Sequence, residues 1–174
     1  VCTQNPELER VKAPWREWKE CIPVDDVEIA PELLTEYIFE MGQKYNIKML
    51  ALDNFRYALM KNTLEKIGFS KDRENLYLVR PSDIMKIQPV IDSCFNKQLF
   101  VWGDNPPLRW ATNNTKRVPR GKKEGTDTGN YYYAKIEGKS RKTDPFMALV
   151  HSMVVEDVLE SGQNSWDDLP VITA

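Results

Sequence analysis

The sequence predicts an α/β domain, and three observations carry that expectation. A short apolar run, Ile47 to Leu52, stops abruptly at Asp53 and lies between two segments of helical periodicity. Helix-like and strand-like stretches then alternate along the chain, the order that builds a partly parallel sheet covered by helices. At 174 residues the chain is one domain's worth, long enough to bury a real core.

Residues 1–14, ending at Pro14, show no usable periodicity and read as an arm. Trp15 and Trp18 flank a polar stretch that leads into Cys21-Ile22-Pro23. Pro31 can open a helix, because the N–H it lacks would be unsatisfied there anyway. Leu33, Leu34, Tyr37, Ile38 and Met41 then recur at three- and four-residue steps as one apolar stripe, with Gly42 near the end. After the strand that ends at Asp53, Asn54 is the expected cap of a second helix. Its Phe55, Ala58, Leu59 and Ile67 should face inward, and Gly68 should close it. Leu76 to Val79 reads as a second strand. The next helix reaches Asn96 and is expected to start near Pro89, since proline fits poorly inside a helix.

Leu99 to Trp102 reads as a third strand, followed by the Gly103-Asp104-Asn105-Pro106-Pro107 turn and a brief helix over Leu108 to Asn113. Basic residues 116–123, the glycines at 121, 125 and 129, and the Tyr131 to Ile136 run predict a long hairpin. Thr143 is a good N-cap for an amphipathic helix to Leu159, with Phe146, Leu149, Val150, Met153, Val154 and Val158 available for the core. The boundaries expected are therefore an arm at 1–14, a domain at 15–160 and a polar tail at 161–174.

Composition narrows the chemistry. No apolar run approaches the roughly 18 residues of a membrane span, and the start lacks a signal-peptide pattern. Cys2, Cys21 and Cys94 are odd in number and widely spaced, which argues for reduced thiols in a cytoplasm-like compartment and against a disulfide framework or zinc knuckle. With His151 the one histidine, a histidine metal cage or a Ser/His/Asp triad is nearly excluded. Residues 116–142 hold nine Lys and Arg against three acids, a local charge of +6 in a chain of net −2. Such a strip suits a polyanion met on one face, and equally suits a solvated loop.

Two carboxylates stand out by position. Asp53 ends an apolar strand, the place where ligands bind in open α/β sheets. Asp144 opens the last long helix, behind Lys139, Arg141 and Lys142. Hydrolysis of a phosphodiester needs a hydroxide nucleophile and relief of charge on the leaving oxygen, which two hard cations about 4 Å apart supply when carboxylates hold them. Each aspartate also has a plain structural reading, Asp53 as a helix cap and Asp144 as a complement to the helix dipole.

Four segments, in order, resemble the nuclease part of tailed-bacteriophage terminase large subunits. They are Trp15-Arg16-Glu17-Trp18, Tyr45-Asn46-Ile47 through Leu52-Asp53-Asn54-Phe55, Gly103-Asp104-Asn105-Pro106 with Leu108-Arg109-Trp110 and Asn113, and Lys142-Thr143-Asp144-Pro145 through Ala148-Leu149. The resemblance covers roughly residues 15–158. It implies an RNase H-like mixed sheet flanked by helices, and cleavage of concatemeric viral DNA during packaging by two Mg²⁺ or Mn²⁺ ions.

Under that resemblance Asp53 and Asp144 are metal-binding acids, and Lys142 falls where a basic residue contacts the scissile phosphate. The basic residues Arg117, Arg120, Lys122, Lys123, Lys139 and Arg141 are the expected DNA contacts. Partners implied are double-stranded DNA, the terminase ATPase domain, the small terminase subunit and the portal, in the host bacterial cytoplasm.

The family's first metal-binding Asp lies on a strand upstream of the Trp15 segment, and no strand with an Asp is found at residues 1–14. The expectation is a sheet short of its first strand and an incomplete metal site, unless Glu7, Glu9, Asp25 or Asp26 completes it. The sequence also lacks the GxxxxGK[ST] phosphate loop of the family's ATPase. Two other readings stay open: a non-catalytic nucleic-acid-binding or motor-docking module, and an RNase H-like fold of an integrase or resolvase kind. His151, two turns beyond Asp144, reads as a packing or surface residue, and Tyr131-Tyr132-Tyr133 as strand formers rather than base-stacking groups.

Overall fold

The computed structural model describes residues 2–3, 23–24, 30–120, 122–123, 126–127, 129–138 and 141–162. In chain order the elements are β1 (Cys2–Thr3), β2 (Pro23–Val24), α1 (Pro31–Lys44), β3 (Leu50–Asp53), a 3-10 turn at Asn54–Arg56, α2 (Tyr57–Lys66), β4 (Leu76–Val79), α3 (Pro81–Asn96), α4 (Pro106–Asn113), β5 (Thr115–Pro119), β6 (Lys122–Lys123), β7 (Thr126–Asp127), β8 (Tyr131–Lys135) and α5 (Asp144–Gly162). Three helices, α1, α3 and α4, open on proline, where its fixed φ is already helical and its missing N–H costs nothing.

The class is mixed α/β. β3 and β4 run parallel, with Leu50 opposite Leu76 and Asp53 opposite Val79. β5 and β8 form the expected hairpin, with Thr115 opposite Lys135 and Pro119 opposite Tyr131. The β1–β2 and β6–β7 pairings are two residues long. Among the described residues the strands pair only in twos, so the one mixed sheet implied by the resemblance is not what is seen. The hairpin is drawn to helices instead of a strand edge. Gln88 of α3 donates to the Tyr131 carbonyl at 2.9 Å, and the Tyr133 ring meets Phe146 of α5 edge-on at 5.0 Å.

The core lies where α5 meets α3, α4, β3 and β4. Val79, Ile87, Ile91, Ala111, Phe146, Val150, Met153 and Val154 form one buried cluster. The last helix has the two faces expected of it: Phe146, Val150, Met153 and Val154 are buried, while Asp144, Ala148, Ser152 and Glu156 form an exposed stripe at four-residue steps. Val155 is buried as well, so the apolar face is wider than expected. The helix also continues to Gly162, past the boundary expected at Ser161.

Other expectations need correction. Leu99–Trp102 is not a strand. The chain turns at Gln98 with φ of 56°, and Phe100 and Trp102 fold onto Phe95 with ring centroids at 4.8 and 6.0 Å, so ring packing replaces strand pairing. α3 starts at Pro81, not near Pro89. There the Arg80 N–H donates to the Asp83 carboxylate at 2.8 Å, which caps the helix, and Pro89 lies on the exposed side where a lost backbone bond costs least.

The inward face of α2 also differs from expectation. Phe55 is 86% exposed and Leu59 65%, while Thr63 and Leu64 are buried. The 3-10 turn takes Asn54–Arg56 out of the helix, and the helical register then starts at Tyr57. Gly68 does close α2, with φ of 94° and its carbonyl held by the Asn75 amide at 3.0 Å. In α1 the expected stripe is half-buried at best: Tyr37 is exposed, and the buried residue is Thr35.

Among the described residues no helix is long and apolar enough to cross a membrane. The Trp15–Trp18 segment, Glu7, Glu9, Asp25, Asp26, most of the expected arm and residues 163–174 lie outside the described residues.

These burials give opposite forecasts for two residues of one segment. Leu64→Ala should cost about 2–5 kcal/mol of stability, because the side chain is fully enclosed. Phe55→Ala should stay within about 0.5 kcal/mol. Urea unfolding of both variants checks this, and similar losses would show that the α2 register is wrong.

Candidate functional site

Asp53 terminates β3, and its position is set by the parallel register with Val79. It is exposed, and one carboxylate oxygen accepts the Phe55 N–H at 2.8 Å, so Asp53 caps the 3-10 turn in the role expected of Asn54. That bond engages Oδ1. Behind β3 lies α5, which packs directly against the strand.

Asp144 is in the first turn of α5 and exposed. The residue before it, Thr143, is buried, and its carbonyl accepts the Met147 N–H at 2.9 Å, which anchors the helix start. Lys142 is exposed beside Asp144, and Arg141 is half-buried. Two turns on, about 10 Å along the axis, is His151. Burial pushes its imidazole below the usual histidine range, and the Asp53 carboxylate pulls it part of the way back up. The end of β3 therefore lies against α5 near His151, while Asp144 stands at the start of that helix, two turns before His151. Among the described residues no three His, Cys, Asp or Glu side chains gather closely enough to hold a metal.

His151 is the residue that sequence reasoning assigns to packing or the surface alone. It is half-buried, but it is also Asp53's electrostatic neighbour. Its seven-residue spacing from Asp144 is visible in the sequence, whereas the approach of β3 is not.

The basic strip is only partly free. Arg117 of β5 pairs through Nη2 with Asp92 of α3 at 2.5 Å, and its guanidinium lies 5.0 Å from the Tyr131 ring centre. Tyr131 donates its hydroxyl to the same Asp92 oxygen at 2.9 Å. Arg120 follows β5, with its backbone N–H on the Asn130 carbonyl. Lys122 and Lys123 stand in backbone register with Asp127 and Thr126 in the inner hairpin, while Lys139 lies outside the described residues. Sequence reasoning passes over Asp92. It lies 25 residues before Arg117 and 39 before Tyr131, and no local pattern marks it.

Compared with known protein families, curated proteins and solved structures, the chain finds no match.

The Asp53–His151 approach can be read directly from the single histidine. His151 should titrate below about 6.5 in a proton NMR titration. The linkage has a definite sign: an imidazole held neutral by the fold leaves stability intact above about pH 6.5. Stability then falls at lower pH, because the unfolded chain takes up the proton first. Asp53→Asn removes an attraction for the protonated ring, so the pKa should drop further. A rise on that substitution would contradict the placement of Asp53.

Proposed function

We propose that this chain is a metal-dependent DNA endonuclease domain of RNase H-like kind, as in the large subunit of a phage terminase, acting by phosphodiester hydrolysis on concatemeric viral DNA. The observation that carries the reading is the arrangement around α5. A carboxylate ends a parallel strand that packs against α5, and the first turn of that helix supplies a second, exposed carboxylate two residues after an exposed lysine.

The donor set fits a hard divalent cation. Both aspartates offer carboxylate oxygens in contact with solvent, the preference of Mg²⁺ and Mn²⁺. Asp53 keeps Oδ2 for a ligand while Oδ1 holds the turn. Two aspartates balance half the charge of two divalent ions, so substrate phosphate and a further acid would complete the set. When bound, the ions supply a hydroxide at neutral pH and charge relief at the leaving oxygen. In this reading Lys142 contacts the scissile phosphate, while Arg117, Arg120, Lys122, Lys123, Lys139 and Arg141 follow the duplex backbone. The ATPase domain, small subunit and portal are the partners in the same reading.

One specific observation favours a second reading, a non-catalytic nucleic-acid-binding or motor-docking module. Asp53 already has a structural task as the cap of the 3-10 turn. Supercoiled plasmid nicking with Mn²⁺ separates the two. The endonuclease reading expects nicking that EDTA stops, and Asp53→Asn or Asp144→Asn should each lower it by more than about a hundredfold. DNA binding without nicking would leave the docking module.

The phosphate path has its own test. With Arg117, Arg120, Lys122 and Lys123 all changed to alanine, the slope of log affinity against log salt should shrink by about 0.9 for each phosphate that is no longer neutralised. An unchanged slope on duplex DNA would remove these residues from the path.

A further inference from the structure

Between the hairpin and the helices there is a cavity of about 170 Å³, partly open to solvent. Phe95, Tyr133 and Phe146 form aromatic walls around it, with Ile91 as an aliphatic floor. Its polar features are few and specific. The Thr112 and Thr115 hydroxyls donate to the Leu108 and Ala111 carbonyls at 2.8 and 2.9 Å, so each oxygen retains lone pairs for an incoming N–H. Tyr133 meets the cavity with its ring, since its hydroxyl is closed off from solvent beside Tyr131, whose own hydroxyl donates to Asp92. Arg117 also lines the cavity and is half-exposed. Its bond to Asp92 uses one of five guanidinium donors, and the rest are available to an anion.

Size and chemistry together select the occupant. A cavity of roughly 150 Å³ takes a benzene-sized ring, so this one suits a single six-membered ring better than a fused pair. Aromatic walls favour a flat π-face, and the two threonine hydroxyls favour a ring whose edge carries hydrogen-bonding groups. A cationic strand, Lys116-Arg117, runs past the cavity and favours an attached phosphate.

We propose that this cavity binds one unpaired pyrimidine base of DNA, with Arg117 on the adjoining phosphate. The proposal rests on the nucleic-acid reading above and deepens it: beyond tracking a duplex backbone, the domain would hold a base exposed at a frayed or cut end. No covalent step is involved. An intact Watson–Crick pair cannot enter, so the site discriminates unpaired from paired DNA.

The experiment uses the native chain with labelled ten-nucleotide oligothymidylate, the same oligomer with abasic sites, and a 20-base-pair duplex, read by fluorescence anisotropy. The base-bearing oligomer should bind about tenfold more tightly than the abasic one. Thr112→Met, which fills the cavity, should erase that difference while leaving duplex affinity unchanged.

A titration of the native chain with thymidine 5′-monophosphate needs no variant, and amide shifts should cluster at Ile91, Thr112 and Tyr133. Equal affinity for the two oligomers, or shifts centred elsewhere, overturns the cavity assignment even if duplex DNA still binds. A chain that binds neither oligomers nor duplex overturns the nucleic-acid reading and this one with it.

Discussion

Burial of α5 is the constraint on which the rest of the structure depends. Phe146, Val150, Met153 and Val154 project from it into Val79, Ile87, Ile91 and Ala111, residues drawn from β4, α3 and α4. Removing each large apolar side chain from water is worth about 1.5–3 kcal/mol, and these removals act in one contiguous cluster. Because a helix is stiff, fixing its middle also fixes its first turn. The location of Asp144 is thus a consequence of core packing further along the same helix. The same packing sets β3 against the helix and brings the end of that strand to His151.

A second, smaller assembly ties the hairpin to this core. Asp92 of α3 accepts from both Arg117 and Tyr131, Gln88 holds the Tyr131 carbonyl, and Tyr133 rests on Phe146. Arg117 is therefore at once a member of the cationic strip and a clamp on α3. A clamped arginine is better oriented for a ligand than a free one, because less side-chain entropy remains to be lost. Its pairing with Asp92 also weakens the positive field along β5. The strip acts as a shaped surface as much as a sum of charges.

Asp53 concentrates the same tension in one side chain. Its Oδ1 caps the 3-10 turn, a task any short acceptor at that position performs. Its Oδ2 and the packing of its strand on α5 are the features that the proposed ligand role uses. The two roles are compatible, since a ligating carboxylate is often held by a backbone donor that fixes its direction.

Local chemistry alone determined a good part of this protein. The apolar run before Asp53, the strand at Leu76–Val79, the proline at the start of α1, the glycine that ends α2 and the tyrosine-rich hairpin strand were all legible, because each depends on residues within a few positions. Misreadings arose where a tertiary contact overrode a local preference. Leu99–Trp102 has strand-like composition, but its rings find Phe95, and Pro89 stays inside α3 because it faces outward. For the candidate site, the sequence singled out Asp53 and Asp144 as a strand-end and a helix-start acid. Only the tertiary structure decided that His151 is Asp53's neighbour, that Asp92 holds Arg117, and that an aromatic-walled cavity lies behind β5. Those relations join residues far apart in the chain. They follow from how α3, α5 and the hairpin pack, which no short-range pattern encodes.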